Sequence, residues 1–354
     1  MKPINVFIIL FLTMFTKLHS QYADGYKLWL KYDKIENSEL FNEYAEIVSS
    51  IYFKDDSNIL KNAKKEFSLA LPRMLNKQVK YSNNISSDNS LIVDVYENLP
   101  NDLKDLVSKD IEVLTDEGFI IKSLIHKKKS IIVISSKKDI GILYATFRFL
   151  HLIQTNKKLK SIELVDSPKI DLRMLNHWDN LDRSVERGYA GFSLWNWQKL
   201  PEYINQRYID YARANASIGI NSTVLTNVNA NALVLTPMYL EKVEALASVF
   251  RGYGIKVYLT ARFSAPIEIG NLETADPLNT EVEKWWSNKA AEIYKRIPDF
   301  GGFLVKANSE GQPGPQNYGR NHVDGANMMA TALKPFGGTI NLESFRLFRT
   351  RRYR

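Results

Sequence analysis

The stretch FLVKANSEGQPGP, residues 303–315, places a lysine and a glutamate just after a short apolar run. Glu310 lies on a segment rich in glycine and proline, which would hold its backbone while the carboxyl faces a cavity. A carboxyl partly desolvated by aromatic neighbours stays protonated near neutral pH and can protonate a leaving oxygen. The charge of Lys306 opposes that protonation unless an anionic substrate engages it. The pair therefore predicts a general acid that acts on an acidic sugar.

Other strand-like segments also end in groups that suit a sugar site. The four strand ends carry, in chain order, Asn176, His177 and Trp178; Asn227 and Val228; Arg262 and Phe263; and Lys306, Asn308 and Glu310. An indole can stack on a pyranose ring, and amide or imidazole groups can orient hydroxyls. A tryptophan or histidine considered alone is more often a core or structural residue. The prediction of one pocket therefore depends on the strand ends meeting.

A (β/α)8 barrel would make them meet, because the carboxyl ends of its strands share one face. From Pro168 onward, IDLRMLNHW, NSTVLTNV, IKVYLTARF and GFLVKAN read as strands, and amphipathic helices separate the last three. The fold class is therefore α/β, with residues 168–340 as the first half of a catalytic TIM barrel of which four to five strands are present.

The preceding residues, 21–167, predict a separate α+β domain without a catalytic constellation. Its strand-like runs are SLIVDVYE and KSIIVISS, and its clearest helix is DIGILYATFRFLHLIQT, with Asp139 expected as the N-cap. Residues 1–20 resemble a secretory signal peptide, with an uncleaved anchor as the alternative. We therefore expect export to the periplasm or the extracellular space.

Charge and cysteine content exclude several classes of function. The formal net charge is +8, but the last fourteen residues hold five arginines and one glutamate, and residues 1–20 hold two lysines. The remainder is therefore near +2, which argues against nucleic acid or an anionic membrane as a partner. The absence of cysteine excludes disulfides and zinc-thiolate sites. We expect no cofactor and no metal.

Two long blocks carry a family resemblance. MLNHWDNLDRSVERGYAGFSLW and FLVKANSEGQPGPQNYGRNHVDGANMMA closely resemble α-glucuronidases of glycoside hydrolase family 67, and the resemblance extends from about Gly25 to Ile340. It implies an α+β domain, a catalytic barrel and a helical C-terminal domain. The implied activity is inverting removal of α-1,2-linked glucuronic acid, or its 4-O-methyl ether, from xylo-oligosaccharides. Glucuronoxylan-derived aldouronic acids are the implied substrates, and the resemblance also allows a homodimer of the full-length enzyme.

The resemblance assigns roles residue by residue. Glu310 matches the general acid of the family, and Lys306 matches the lysine that helps to bind the uronate carboxylate. Trp178 and Val228 match the residues that sheath the 4-O-methyl group. His177 and Asn308 are further candidates for substrate binding.

The chain departs from the family near its end. The family continues into a strand with the motif Ile-Trp-Arg, whereas this chain reads NLESFRLFRTRRYR and has Glu343 at the arginine position. The sequence predicts that 341–354 is an aberrant basic tail produced by a frameshift or a truncated gene model, with a natural basic tail as the alternative. An inverting enzyme needs a second carboxylate, which the family has on later strands. We therefore expect an inactive fragment whose half barrel is sensitive to proteases.

Two other functions remain open from the sequence. The chain could be a non-catalytic fragment that holds an acidic sugar through Trp178 and Lys306 without cleaving it. It could also belong to another barrel glycosidase, because a similar N-terminal domain precedes hexosaminidase barrels. That alternative lacks the paired Asp-Glu expected at the fourth strand.

Overall fold

The computed structural model describes residues 25–85, 90–229, 231–306 and 313–343. They form two β-sheets with α-helices packed against both. Among these residues, no helix combines the length and the apolar character needed to cross a bilayer. The predicted signal segment lies outside the described residues.

The first sheet has six strands in the order β2-β1-β3-β5-β4-β6. Its strands are β1 (Ile51–Phe53), β2 (Tyr81–Ser82), β3 (Leu91–Val95), β4 (Phe119–His126), β5 (Lys129–Ser136) and β6 (Glu163–Asp166). β4 is antiparallel to β5 and β6, and the other pairs are parallel. The mixed sheet agrees with the α+β character predicted for this part of the chain.

Helices cover both faces of this sheet. They are α1 (Ser38–Ile47), α2 (Asn58–Leu75), α3 (Asn101–Glu112) and α4 (Asp139–Gln154). Within β3, Leu91 and Val93 join the large core with α2 and α4, whereas Ile92 joins a smaller core with α3. This alternation follows from the two-residue period of a strand buried on both sides.

The predicted cap of α4 is wrong by one residue. Lys138 occupies the N-cap position without a side-chain cap, and Asp139 is the first helical residue. An aspartate in the first turn still interacts favourably with the helix dipole.

The second sheet contains five strands, all parallel, in the order β11-β10-β9-β8-β7, and curls like half of a barrel. Its strands are β7 (Met174–Asn176), β8 (Ser222–Val224), β9 (Lys256–Arg262), β10 (Gly302–Lys306) and β11 (Thr339–Glu343). The helices of this region are α5 (Gln206–Ala216), α6 (Pro237–Arg251), α7 (Ala265–Gly270), α8 (Thr280–Arg296) and α9 (His322–Leu333). Single turns of 3₁₀ helix occupy Leu28–Lys31, Tyr96–Asn98, Ala232–Leu235, Pro315–Tyr318 and Lys334–Phe336. β11 continues past residue 340, so the first three residues of the predicted tail lie in the sheet.

The two faces of the second sheet have different neighbours. Val224, Tyr258 and Leu304 form a small cluster with Val228 and Met174 on the inner face. The intervening residues Leu259, Phe303 and Val305 belong to the large core with the helices. The strand registers place the carboxyl ends of all five strands along one side of the sheet, which we call its carboxyl-terminal edge. This edge is where the sequence predicts the pocket.

The two sheets share one core and a buried ion pair. The large core combines residues of α2 and α4 with residues of α5, α6 and α8. Across this boundary, Arg213 Nε donates to Glu66 Oε2 at 2.7 Å and Arg213 Nη2 donates to Glu66 Oε1 at 2.6 Å. Asn62 Nδ2 also donates to the Gly252 carbonyl at 2.7 Å. The first sheet and its helices therefore support the helices behind the second sheet.

Candidate active site

The end of β7 presents an indole at the edge of the second sheet. Trp178 follows the strand by two residues and is 37% exposed. Its carbonyl accepts a hydrogen bond from the Glu186 N–H at 2.8 Å. The adjoining Asn176 is also exposed. The side chain of Trp178 is therefore accessible to a ligand at this edge.

A buried carboxylate holds the backbone around Trp178. Asp179, 4% exposed, accepts hydrogen bonds from the Ser193 hydroxyl and from the Leu194 N–H at 2.8 Å. Its Oδ2 lies 3.3 Å from His177 Nδ1. Burial alone would raise the pKa of the Asp179 carboxyl, but His177 and these hydrogen bonds outweigh burial and lower that pKa below its usual value. Asp179 is therefore a charged anchor.

His177 is engaged by protein groups on both ring nitrogens. Nδ1 faces Asp179, and Nε2 lies 2.7 Å from the Tyr211 hydroxyl, which in turn lies 3.0 Å from Thr223 Oγ1. Its ring also packs edge-on against Trp195. The predicted direct contact of His177 with the sugar would break one of these hydrogen bonds. His177 therefore links β7, α5 and β8, and its predicted contact with the sugar stays a prediction.

The end of β8 is joined to the end of β7 through backbone contacts. The Asn227 N–H donates to the Asp179 carbonyl at 2.8 Å. Val228 is 4% exposed and packs with Val224 and Tyr258 on the inner face. Val228 therefore contributes an apolar wall.

Two cations meet at the next strand ends. Arg262 and Lys306 are register partners in β9 and β10. Both donate to Asn229: Arg262 Nη2 to its carbonyl at 2.5 Å, and Lys306 Nζ to its side-chain Oδ1. Glu268 lies 3.2 Å from Arg262 Nη1 and offsets part of that charge. The edge thus carries two cations that both contact Asn229, Arg262 at its backbone carbonyl and Lys306 at its side chain.

Several predicted groups lie outside the described residues. Asn308 and Glu310 fall in 307–312, and their predicted roles remain predictions. Glu343 is the register partner of Lys306 at the end of β11, and its side chain is not described. Within the described residues, no three His, Asp or Glu side chains group in a way that suits a metal ion.

Sequence reasoning missed Asp179 and Asn229 and gave Arg262 no role. Asp179 directly follows the recognised Asn-His-Trp segment, and this position beside the candidate site residues was the available signal. Its partner Ser193 is fourteen residues away, a distance that strand patterning does not bridge. Asn229 became significant only because β8, β9 and β10 are neighbours.

Comparison with protein families agrees with this architecture. The model described as "Glycosyl hydrolase family 67 N-terminus" matches residues 28–149, and "Glycosyl hydrolase family 67 middle domain" matches residues 152–351. The second match alone covers more than half of the sequence. The chain belongs to glycosyl hydrolase family 67.

Curated relatives of this family 67 chain are named as glucuronidases. "Probable alpha-glucuronidase A" of Aspergillus fumigatus is 38% identical over 287 residues, covering 80% of this chain and 33% of the relative. "Alpha-glucuronidase A" of Emericella nidulans is 33% identical over 333 residues, covering 91% of this chain and 38% of the relative. The chain therefore spans about a third of the length of these relatives.

Two solved structures share the fold of the family 67 chain. CpGH84B superposes with a TM-score of 0.53 at 16% identity, covering 84% of this chain and 46% of that chain. A GH138 enzyme targeting pectin rhamnogalacturonan II superposes with a TM-score of 0.51 at 17% identity, covering 82% and 43%. At such low identity, the likeness concerns the fold alone.

Proposed function

We propose that this chain carries the glucuronate-binding part of an α-glucuronidase active site, and that its five-stranded sheet is the first part of a (β/α)8 barrel. The proposed substrates are xylo-oligosaccharides with α-1,2-linked glucuronic acid or its 4-O-methyl ether. Family membership and the names of the curated relatives support this reaction. Export to the periplasm or the extracellular space is part of the proposal.

The observation that carries the proposal is the cationic pair at the sheet edge. Arg262 and Lys306 are register partners and both donate to Asn229. A carboxylate is a stronger acceptor than a neutral amide, and each charge-assisted bond contributes about 1.5–3 kcal/mol. A uronate carboxylate that displaces the Asn229 side chain from Lys306 would therefore bind more tightly than a neutral hydroxymethyl group.

The neighbouring groups suit the rest of the sugar. Trp178 offers an exposed indole that can stack on the pyranose, and Val228 supplies an apolar wall for a 4-O-methyl group. His177 acts indirectly, because its hydrogen bonds to Asp179 and Tyr211 hold the segment that carries Trp178.

The proposed chemistry is acid-catalysed hydrolysis with inversion. Glu310 gives its proton to the glycosidic oxygen, and Asn308 helps to hold the sugar. A second carboxylate, roughly 6.5–9.5 Å from the acid, activates the attacking water from the opposite face. Proton donation by a general acid such as Glu310 increases the rate of a reaction by roughly 10²–10⁴-fold.

Binding without cleavage is the second candidate function. The proposed site binds the carboxylate of the sugar through Arg262 and Lys306 and binds its ring through Trp178 and Val228. Such binding does not require the second catalytic carboxylate. Incubation of the chain with aldouronic acids, with free glucuronate as the readout, distinguishes binding alone from hydrolysis.

Replacement of Lys306 tests the carboxylate site. We expect Lys306→Met to weaken binding of methyl α-glucuronide at this site by about 10- to 150-fold, because one charge-assisted hydrogen bond is lost. Binding of methyl α-glucoside should change little. Isothermal titration calorimetry with both sugars measures the difference.

A matched control is Lys284→Met, which removes an exposed lysine of α8. This variant should bind both sugars as the unmodified chain does. Equal weakening of the two sugars by Lys306→Met would refute the assignment of Lys306 to the uronate.

A further inference from the structure

A cavity lies at the amino-terminal end of the curled sheet, opposite the candidate active site. It has a volume of about 660 Å³ and opens between the first sheet with α4 and the segment that leads from α5 into β8. Arg173 precedes β7, and Ser217 and Gly219 precede β8, so the cavity lies at the amino ends of these strands. Trp178, Arg262 and Lys306 lie at the carboxyl ends. The two sites are therefore distinct.

Four phenylalanine, tyrosine and tryptophan side chains line the cavity. Tyr144 and Phe147 belong to α4, Phe119 belongs to β4, and Trp29 belongs to the 3₁₀ turn Leu28–Lys31. Trp29 packs edge-on against Phe147, with ring centroids 6.2 Å apart, and its Nε1 donates to Ser217 Oγ at 3.1 Å. A wall of fixed rings suits the C–H face of a sugar, which buries without losing a hydrogen bond.

Polar groups at the rim have unused hydrogen-bonding capacity. Arg148 and His151 lie three residues apart on one side of α4 and both line the cavity, as does Asp166 of β6. In the part of the chain that the structure describes, none of these three side chains has a hydrogen-bond or ion-pair partner. Arg173, in contrast, is held by Glu117 at 2.6 Å.

A ligand of this cavity must fit both the aromatic rings of its wall and the polar groups at its rim. A guanidinium without a partner favours a carboxylate, the imidazole and Asp166 can bind hydroxyls, and the rings require a flat apolar face. A ring compound with a carboxylate and several hydroxyls meets all three conditions. The volume falls within the roughly 300–1,000 Å³ of small-molecule pockets.

We propose that this cavity is a second binding site for an acidic sugar of one or two rings, with Arg148 as the carboxylate ligand. The choice of a sugar over another hydroxylated ring acid rests on the proposed function. The site holds the uronate at the junction of the two sheets, away from the proposed reaction.

Variants in the Lys306→Met background isolate this site, because that replacement weakens the carboxylate site at the other end. The probe is methyl α-glucuronide, with methyl α-glucoside as the neutral comparison, in isothermal titration calorimetry. We expect glucuronide binding to persist in Lys306→Met and to fall at least about 10-fold when Arg148→Gln is added. Arg207→Gln, an exposed arginine of α5, is the matched control and should leave this binding unchanged.

The outcomes separate this proposal from the function proposed above. Loss of glucuronide binding with Arg148→Gln but not with Lys306→Met supports the cavity and refutes the carboxylate site at the sheet edge. Loss with Lys306→Met alone, with no effect of Arg148→Gln, overturns the cavity proposal. Equal binding of the neutral glucoside in the Lys306→Met background also overturns it, because Arg148 would then not recognise a carboxylate. Arg148 is exposed, so its replacement should not impair folding.

Discussion

At the scale of single residues, Asp179 is a buried charge that holds the backbone around Trp178. Its carboxylate is bound by Ser193, Leu194 and His177. We expect Asp179→Asn to lower the free energy of unfolding at pH 7 by about 1.5–3 kcal/mol, since hydrogen bonds to a charged group are lost. Urea denaturation followed by fluorescence measures this loss.

The effect of Asp179 should depend on pH in one direction. Its native pKa is lowered, so its contribution is present above the unfolded pKa of about 3.9 and disappears as the pH falls through the native pKa. The difference between the variant and the unmodified chain should therefore shrink at acidic pH. Asp105→Asn, at an exposed position of α3, is the control. A difference that stays constant from pH 7 to pH 3 would contradict the charged role.

At the scale of elements, the ion pair between α2 and α5 joins the two sheets. Arg213 contacts Glu66 through two hydrogen bonds, and the Tyr32 hydroxyl donates to the same carboxylate. Burial, followed by the nearby Glu66 carboxylate, raises the pKa of Tyr32, so the hydroxyl remains a donor. We expect Arg213→Met to lower the free energy of unfolding by about 3–5 kcal/mol, because it leaves the Glu66 carboxylate buried without its cation.

A double replacement separates the lost charge from lost packing. Glu66→Gln combined with Arg213→Met removes both charges, so the double variant should be more stable than Arg213→Met alone. Denaturant unfolding of the two single variants and the double variant gives the coupling energy. Additive effects would show that the pair does not join α2 to α5 energetically.

At the scale of the whole molecule, the shared core changes the expectation for unfolding. The sequence predicts that proteases digest the half barrel. The large core, however, includes side chains from α2 and α4 together with Trp195, Trp197 and Trp286 of the second region. We expect tryptophan fluorescence and far-ultraviolet circular dichroism to report one coincident transition in urea, because loss of either half exposes the core of the other. Two separated transitions, or a stable proteolytic fragment ending near residue 167, would contradict this coupling.

In the second sheet, the order of strands and helices could be predicted from the sequence, because periodicity and capping are local properties of the chain. In the first sheet, the strand-like runs of the sequence predict only β3 and β5 of the six strands. The apolar runs around Val257 and Leu304 are strands, and Asn279 caps α8 through the N–H groups of Glu281 and Val282. Trp178, Val228 and Lys306 could be proposed as neighbours from the sequence, since residues at the carboxyl ends of parallel strands share one edge of the sheet. Their proposed chemistry depends on residue type and on the succession of strands along the chain, and both can be seen in the sequence.

Only the tertiary structure decided which of these groups remain available to a ligand. His177 looked like a sugar ligand, but Asp179 and Tyr211 occupy both of its ring nitrogens. Arg262 had no assigned role until the register placed it beside Lys306. The cavity at Arg148 also depends on the packing of the first sheet against the loop after α5. Hydrogen-bond partners and cavity walls come from residues far apart in the chain, and side-chain patterns within one segment carry no record of them.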